Sequence, residues 1–265
     1  MIRRRPVLSL LTLAAVVFLL FPIVVVVGVA LSRGDVLTFP PSGLSLRWFG
    51  EALTYQPFTD SLVTSAVVAA AATVIALAVG VPATYAVHRR SPRGRRLLQT
   101  VFLSPLIVPE LVLGFALFQL FLVRAGFDAL AALIIGHSVL LLPYAVRVTG
   151  ASLEQADPAL EEAAAGLGAG PVRTFFGVTL PVIAPGIVSA TILSLLTSFN
   201  NVPMSLLLTS RSVQTLPVAM LEYVQTSFTP MIAAVSTLLL LLTIGVALVT
   251  ERLVGFQRVF GRSAP

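Results

Sequence analysis

The sequence contains no lysine and no cysteine, and only 11% of its 265 residues are charged. Without lysine the chain cannot form a phosphate-binding loop of the Walker A type, whose lysine reaches the phosphates, and it cannot form a lysine Schiff base. Without cysteine it has no disulfide and no thiolate metal ligand. Only two histidines are present, His88 and His137, and they lie far apart in the sequence. We therefore expect no metal site and no ATP site in this chain.

Hydrophobic residues make up 57% of the sequence and charged residues only 11%. In an ordinary soluble domain about 25% of the residues are charged. A chain with so few charges cannot cover its surface with solvated side chains, so lipid must solvate much of it. About 20 apolar residues are enough to cross a bilayer. The sequence therefore predicts a single all-α transmembrane domain of six helices over 1–265. The predicted spans cover residues 7–31, 62–87, 97–123, 130–148, 182–208 and 231–249.

The first apolar stretch resembles a signal peptide because three arginines precede it, but it is longer than the 7–15 residues of a signal core. We expect it to be retained as a helix.

Thirteen arginines lie on the same side of the membrane as the N-terminus, including Arg147 at the inner end of the fourth predicted span. By the positive-inside rule both termini are cytoplasmic. The basic groups are short and flank apolar spans, so no nucleic-acid partner is expected. The four outer arginines are Arg33, Arg47, Arg124 and Arg211.

The cytoplasmic segment 150–181 between the fourth and fifth spans is too polar for lipid. Asp157 followed by Pro158 predicts a helix start, because aspartate caps the first amides and proline suits the first turn. Glu161 and Glu162 follow in the early turns, where the helix dipole favours negative charge. We predict a short, alanine-faced helix. Its expected stop is a group of glycines, Gly166, Gly168 and Gly170.

This segment carries residues in a fixed spacing. It reads Glu162-Ala163-Ala164, three residues, Gly168, nine residues, then Val178-Thr179-Leu180-Pro181. The pattern resembles the EAA signature of binding-protein-dependent ABC importer permeases, and its one departure is Val178 in place of isoleucine. Shape alone favours a loop helix that lies on its own bundle, and it is the residue pattern that favours a contact with another protein.

The resemblance implies a type I importer permease of the MetI-like fold, multi-pass in the bacterial inner membrane. Its loop helix would be a coupling helix seated on a separate ATPase, and the chain itself would be no enzyme. Two copies of that ATPase would bind ATP and magnesium, and an extracellular binding protein would deliver the solute to a pair of permeases, the second of them expected to be a different chain. The implied ATPase-coupling residues are Glu161, Glu162, Ala163, Ala164, Gly168, Leu180 and Pro181.

Within this family the chain is most similar to the second permease of spermidine/putrescine-type systems, on the stretches Ser198–Leu207 and Thr215-Leu216-Pro217. A polyamine or related amine is therefore the expected solute. Relatives of such permeases carry opines, aminoethylphosphonate, ferric ion or thiamine, and these remain alternatives. Polyamine permeases often have acidic residues where this chain has Asn200 and Asn201, which weakens the polyamine assignment.

Four polar residues inside the predicted spans are candidates for the solute pathway: Glu110, His137, Asn200 and Asn201. A charged group at mid-span costs about 2.5–3.5 kcal/mol on insertion scales, so Glu110 is a functional hypothesis by default. It could instead cap the helix after Pro109 or pair with an arginine of a partner subunit. His137 could be an interhelical hydrogen-bonding contact. The two asparagines could line the pathway or tie helices together.

The residues disfavour two other classes of membrane protein. An intramembrane protease is not supported, because the sequence contains no H-E-x-x-H and no G-x-S-x-G pattern. A secondary carrier that works without ATP is expected to show an inverted internal repeat. The sequence shows none, and a carrier would leave the cytoplasmic helix unexplained.

Overall fold

The computed structural model describes residues 6–90 and 100–260. These residues are almost entirely helical, and the one β-bridge among them joins Ser32 and Leu44. The helices, in chain order, are α1 (Pro6–Ala30), α2 (Arg47–Thr54), α3 (Gln56–Arg90), α4 (Thr100–Leu106), α5 (Glu110–Arg124), α6 (Ala129–Gln155), α7 (Ala159–Gly166), α8 (Pro171–Val182), α9 (Ala184–Phe199), α10 (Pro203–Leu208), α11 (Leu216–Thr226) and α12 (Met231–Phe260).

Four of these helices, α1, α3, α6 and α12, are long and apolar enough to cross a membrane. Two bent pairs, α4 with α5 and α8 with α9, bring the number to six if each pair is one span. The predicted all-α membrane fold is confirmed. Most of α1 is exposed, which suits a helix whose surroundings are lipid rather than water.

The structure differs from the sequence prediction at the third and fifth spans, which are not continuous helices. In the stretch 97–123, α4 and α5 meet at an angle of 108°, because Pro109 lacks an amide proton and restricts the residue before it. Residues 97–99 lie outside the described part of the chain. In the stretch 182–208, helix α9 ends at Phe199 and α10 begins at Pro203, so Asn200 and Asn201 lie in the break.

The chain divides into two compact units. The first contains the described residues up to Asp60 together with Ala219–Ile244. Here α2 is held by Trp48, whose indole Nε1 donates to the carbonyl of Gly34 at 3.2 Å. Arg47 lies 4.2 Å over the Trp48 ring and pairs with Asp35. The segment Arg47–Thr54 around Trp48 therefore forms a short helix.

The second unit contains Ser61–Val218 and the described residues from Gly245 onward. Its close helix contacts depend on glycines. A Cβ at Gly114 of α5 would lie 3.1 Å from Leu207 Cδ1, and one at Gly136 of α6 would lie 2.5 Å from Leu208 Cδ1. Helix α10 therefore packs closely against both α5 and α6. The buried apolar cluster at this contact contains Met204 and Leu208 of α10 and, from other helices, Val68, Leu117, Ala132, Leu133 and Leu140.

Candidate functional site

Helix α7, in the segment between α6 and α8, begins with the predicted aspartate cap. The carboxylate of Asp157 accepts a hydrogen bond of 2.9 Å from the amide of Ala159. Pro158 already has helical dihedral angles, and the hydrogen-bonded helix starts one residue later, at Ala159. The predicted start is confirmed to within one residue.

The helix ends at a left-handed residue, Gly168, which has φ +85°. The amide of Gly168 donates to Ala165 at 2.9 Å, and the amide of Ala169 donates to Ala164 at 3.0 Å. These two bonds form a Schellman cap, in which glycine is favoured because it has no Cβ to clash. No atom lies within 4 Å of a Cβ placed there. Gly168 is therefore required by its backbone conformation and not by lack of space.

One side of α7 is open. Glu162 and Ala163 are exposed, and Leu167 at the end of the helix is 90% exposed. In α8, Val172 and Phe176 are 71% and 62% exposed. The surface formed by these five residues combines small, acidic and large apolar side chains, which suits contact with another protein more than contact with water.

Glu161 points the other way from its neighbour Glu162, toward α3 and α8. Its Oε1 accepts from Arg89 Nε at 3.1 Å and from the Thr179 hydroxyl at 3.0 Å. Its Oε2 accepts from the Tyr85 hydroxyl at 3.4 Å. Only 16% of the Glu161 side chain is exposed. The sequence grouped the two glutamates together, but the structure separates them into an inner and an outer carboxylate.

Leu180 packs in an apolar cluster together with Tyr85, one of the hydrogen-bond partners of Glu161, whereas Pro181 is exposed. In the same cluster the Tyr85 and Phe175 rings are 4.8 Å apart between centroids. Leu180 therefore packs inside its own chain. The buried members of the cluster are Val81, Leu153, Phe175 and Ile183.

Two of the four pathway candidates contact each other. The carboxylate of Glu110, the first residue of α5, accepts a hydrogen bond of 2.7 Å from the Asn201 amide nitrogen. The Asn201 oxygen accepts from the amide of Met204 at 3.0 Å and so caps α10. Asn201 is 6% exposed, and Glu110 is half-buried. A polar contact therefore joins the break before α5 to the break before α10.

The other two candidates lie apart from this contact. His137 of α6 is fully buried, with Nδ1 2.7 Å from the Ser198 hydroxyl and Nε2 3.1 Å from the Ser205 hydroxyl. It joins three helices, which fits the interhelical alternative. Asn200 is exposed, and its side-chain amide donates to the Leu196 carbonyl of the preceding helix, α9, at 2.9 Å.

Sequence reasoning missed a cavity of about 860 Å³ between α6 and the α8–α9 bend. Arg147 is the only charged residue in its lining and is exposed there. Hydroxyl and amide groups of Tyr144, Ser152, Gln155 and Ser189 line the same cavity. The cavity could not be predicted from the sequence because the helices that line it are far apart in the chain. The one signal of a polar cavity was Arg147, a charged residue on an apolar helix. Across residues 6–90 and 100–260, no cluster of histidine and acidic side chains could hold a metal ion.

A sequence profile of the family described as "Binding-protein-dependent transport system inner membrane component" matches residues 76–255. The chain is 28% identical over 244 residues to the putrescine transport system permease protein PotI of Escherichia coli strain K12, covering 89% of this chain and 86% of PotI. It is 25% identical over 234 residues to the spermidine/putrescine transport system permease protein PotC of Haemophilus influenzae, covering 88% and 91%.

A solved structure shares the fold. The crystal structure of a bacterial ABC transporter involved in the import of the acidic polysaccharide alginate superposes with a TM-score of 0.65 at 18% identity. The superposition covers 97% of this chain and 95% of that chain. At this level of identity the likeness concerns the fold alone.

Proposed function

This chain belongs to the family of inner-membrane components of binding-protein-dependent transport systems, and we propose that it forms, together with a second and different permease chain, the pathway for a polyamine or related amine. A multi-pass permease of such an ABC importer is not catalytic itself and works with an ATPase and a solute-binding protein. The Glu110–Asn201 contact between two helix breaks carries the proposal about the solute.

Discontinuous helices are the places where many transporters bind solute, because a break frees polar groups inside the membrane. Glu110 places a carboxylate at such a break, and Asn201 orients one of its oxygens. The second oxygen of Glu110 has no hydrogen bond in the described part of the chain, and it can accept one from an ammonium group. PotI is a putrescine permease and PotC a spermidine/putrescine permease, and the similarity to both favours the same class of solute.

The open surface of α7 and α8 supports the proposed contact with the ATPase, two copies of which would serve the pair of permeases and bind ATP and magnesium. Ala163 has no bulk, so another backbone can approach closely, and Glu162 can pair with a basic side chain in the ATPase groove. Ala163→Trp should therefore prevent the ATPase from co-purifying while the permease stays in the membrane. Ala169→Trp is the matched control, because Ala169 takes part in the cap through its backbone amide and not through its side chain.

The identity of the solute is tested by calorimetry, which measures the binding of putrescine and of spermidine to the cognate binding protein. Tight binding of either amine, followed by ATP-dependent uptake in proteoliposomes of the whole complex, is the expected result. Binding only of an opine, aminoethylphosphonate, ferric ion or thiamine would replace the amine by that solute class. Uptake by this chain alone, without an ATPase, would make it a secondary carrier and overturn the proposal.

A second candidate solute is one that carries an acidic group as well as an amine. It is favoured by Arg147, which offers a cation in the cavity and has no ion pair among the residues that the structure describes. A polycation gains nothing from a cation on its path, whereas a zwitterion does. Arg147→Gln should weaken uptake of a zwitterion and leave, or improve, uptake of a polyamine.

A further inference from the structure

We propose that Glu161 is a positioning residue that fixes helix α7 to the end of α3 and to α8, so that the three move as one body during transport. This inference rests on the proposed contact between α7 and the ATPase. Helix α7 passes the displacement that the ATPase imposes on it to α3 and α8, and two adjacent glutamates have different tasks in this. Glu162 faces outward for the partner, and Glu161 faces inward as the joint.

The contacts at Glu161 come from separate elements. Arg89 and Tyr85 belong to α3, and Thr179 belongs to α8. Arg89 Nη2 also lies 3.1 Å from Oε1 but makes no hydrogen bond there, so Nε is the nitrogen that donates to the carboxylate. By contrast, the side chain of Glu162 has no hydrogen bond or ion pair in residues 6–90 and 100–260. One carboxylate therefore holds three helices, while the next one is free for a partner.

The surroundings of this joint strengthen it. The apolar cluster of Val81, Leu153, Phe175 and Ile183 packs beside it, and 23% of the Arg89 side chain and 16% of the Glu161 side chain are exposed. Charges that are shielded from water attract each other more strongly, and several hydrogen bonds on one carboxylate fix its direction. A displacement of α7 is therefore passed to α3 instead of being absorbed by a loose loop.

Helix α3 is suited to carry such a displacement because it is one helix of 35 residues. Near its other end, the Ser65 hydroxyl accepts a hydrogen bond of 2.8 Å from the amide of Leu216, and Ser65 is 2% exposed. The helical rise of 1.5 Å per residue puts Ser65 and Arg89 roughly 36 Å apart. The same helix thus contacts α7 at one end and the start of α11 at the other.

His88, one residue before Arg89, does not duplicate the joint. Its Nε2 lies 3.6 Å from a carboxylate oxygen of Glu154 in α6. In the described part of the chain, Arg89–Glu161 is the ion pair that joins α3 to α7. Removing Glu161 should therefore loosen α7 specifically and leave the link between α3 and α6 in place.

The test compares Glu161→Gln with Glu162→Gln in the purified complex with its ATPase, measuring both ATP hydrolysis and uptake. Glu161→Gln should leave the ATPase bound and hydrolysing, and uptake per ATP should fall at least about fivefold, the low end of coupling between sites. Glu162→Gln makes the same chemical change on the outer side. It should weaken ATPase binding without changing uptake per ATP in the complexes that remain.

A second variant keeps the proposal falsifiable if Glu161→Gln fails to assemble. Because this chain has no cysteine, Arg89→Cys with Glu161→Cys can be joined by a short bifunctional thiol reagent, with the partner subunits made cysteine-free. Before joining, uptake per ATP should be low, and joining the two positions should restore it. Normal uptake per ATP in Glu161→Gln, or a cross-link that stops uptake, would overturn the proposal. If the unchanged chain binds no ATPase at all, the proposed function fails instead.

Discussion

The carboxylate of Glu110 and the side-chain amide of Asn201, 91 positions apart in the sequence, are joined by a hydrogen bond of 2.7 Å. Each residue lies at an interruption of a helix, Glu110 after Pro109 and Asn201 after α9. Inside a bilayer an interrupted helix is tolerated only where protein or water satisfies the freed backbone groups. If each bent pair of helices is one span, the contact marks a polar position at membrane depth.

Glu110→Gln is predicted to lower uptake of an amine without reducing the yield of the complex. Glutamine keeps an oxygen for the Asn201 amide, so the contact between the two breaks survives, but the charge that would meet an ammonium group is gone. A hydrogen bond to a charged group contributes about 1.5–3 kcal/mol, which corresponds to a loss of about tenfold or more in apparent affinity. Uptake at several solute concentrations measures this loss.

Asn200→Ala is the control for this prediction, because Asn200 is next to Asn201 and, among the described residues, its side-chain amide bonds only to the Leu196 carbonyl of α9. It should leave the apparent affinity unchanged. If Glu110→Gln instead lowers the yield of the complex while the surviving complexes transport normally, Glu110 is a structural cap and does not meet the solute.

Gly168→Ala is predicted to weaken ATPase binding, because α7 would lose the end that its Schellman cap provides. A residue with a Cβ pays roughly 1–2 kcal/mol in the left-handed conformation. Gly170→Ala is the matched control, since Gly170 has an ordinary φ of −71° and equally open surroundings. The amount of ATPase that co-purifies distinguishes Gly168→Ala from Gly170→Ala. A third variant, Gly168→Glu, should abolish coupled uptake. Normal co-purification and ATPase stimulation in Gly168→Glu would show that this loop is not the coupling segment.

His137→Ala is predicted to lower stability and not the turnover of assembled complexes. The change would leave the hydroxyls of Ser198 and Ser205 without their buried partner, at a cost of about 1–3 kcal/mol for each unsatisfied group. Thermal unfolding of the purified complex should shift to lower temperature. A variant of unchanged stability that has lost uptake would instead place His137 on the solute pathway.

The predicted topology can be tested with single cysteines, because the chain has none of its own. A membrane-impermeant thiol reagent should label Leu44→Cys in intact cells, where the side chain is 74% exposed in the structure. It should label Pro92→Cys only after the cells are permeabilised; Pro92 lies outside the described residues. Labelling of Pro92→Cys in intact cells would reverse the predicted orientation.

The sequence alone was sufficient to predict the elements that depend on interactions between neighbouring residues. The Asp157 cap and the Gly168 stop follow from the conformations that these residues favour, and the apolar stretches follow from hydropathy. It was insufficient for the opposite orientations of Glu161 and Glu162, because Leu160 is the one large apolar residue of α7 and does not define an inner face. The pairing of Glu110 with Asn201 depends on tertiary packing, and no local pattern reports it. A useful signal was present, however: Arg89 ends a long apolar helix and needs a carboxylate near it.

Helices α3 and α5 differ in length relative to the bilayer. At 1.5 Å per residue α3 is about 52 Å long and α5 about 22 Å, whereas the hydrocarbon core is about 30 Å thick. Helix α3 can therefore adapt to thicker or thinner membranes by changing its tilt. Helix α5 is too short to cross alone, so the hydrophobic thickness sets how deep the break at Pro109 lies. Lipids with longer acyl chains should consequently affect the environment of Glu110 before they affect α3, which makes acyl-chain length an independent variable for studying this permease.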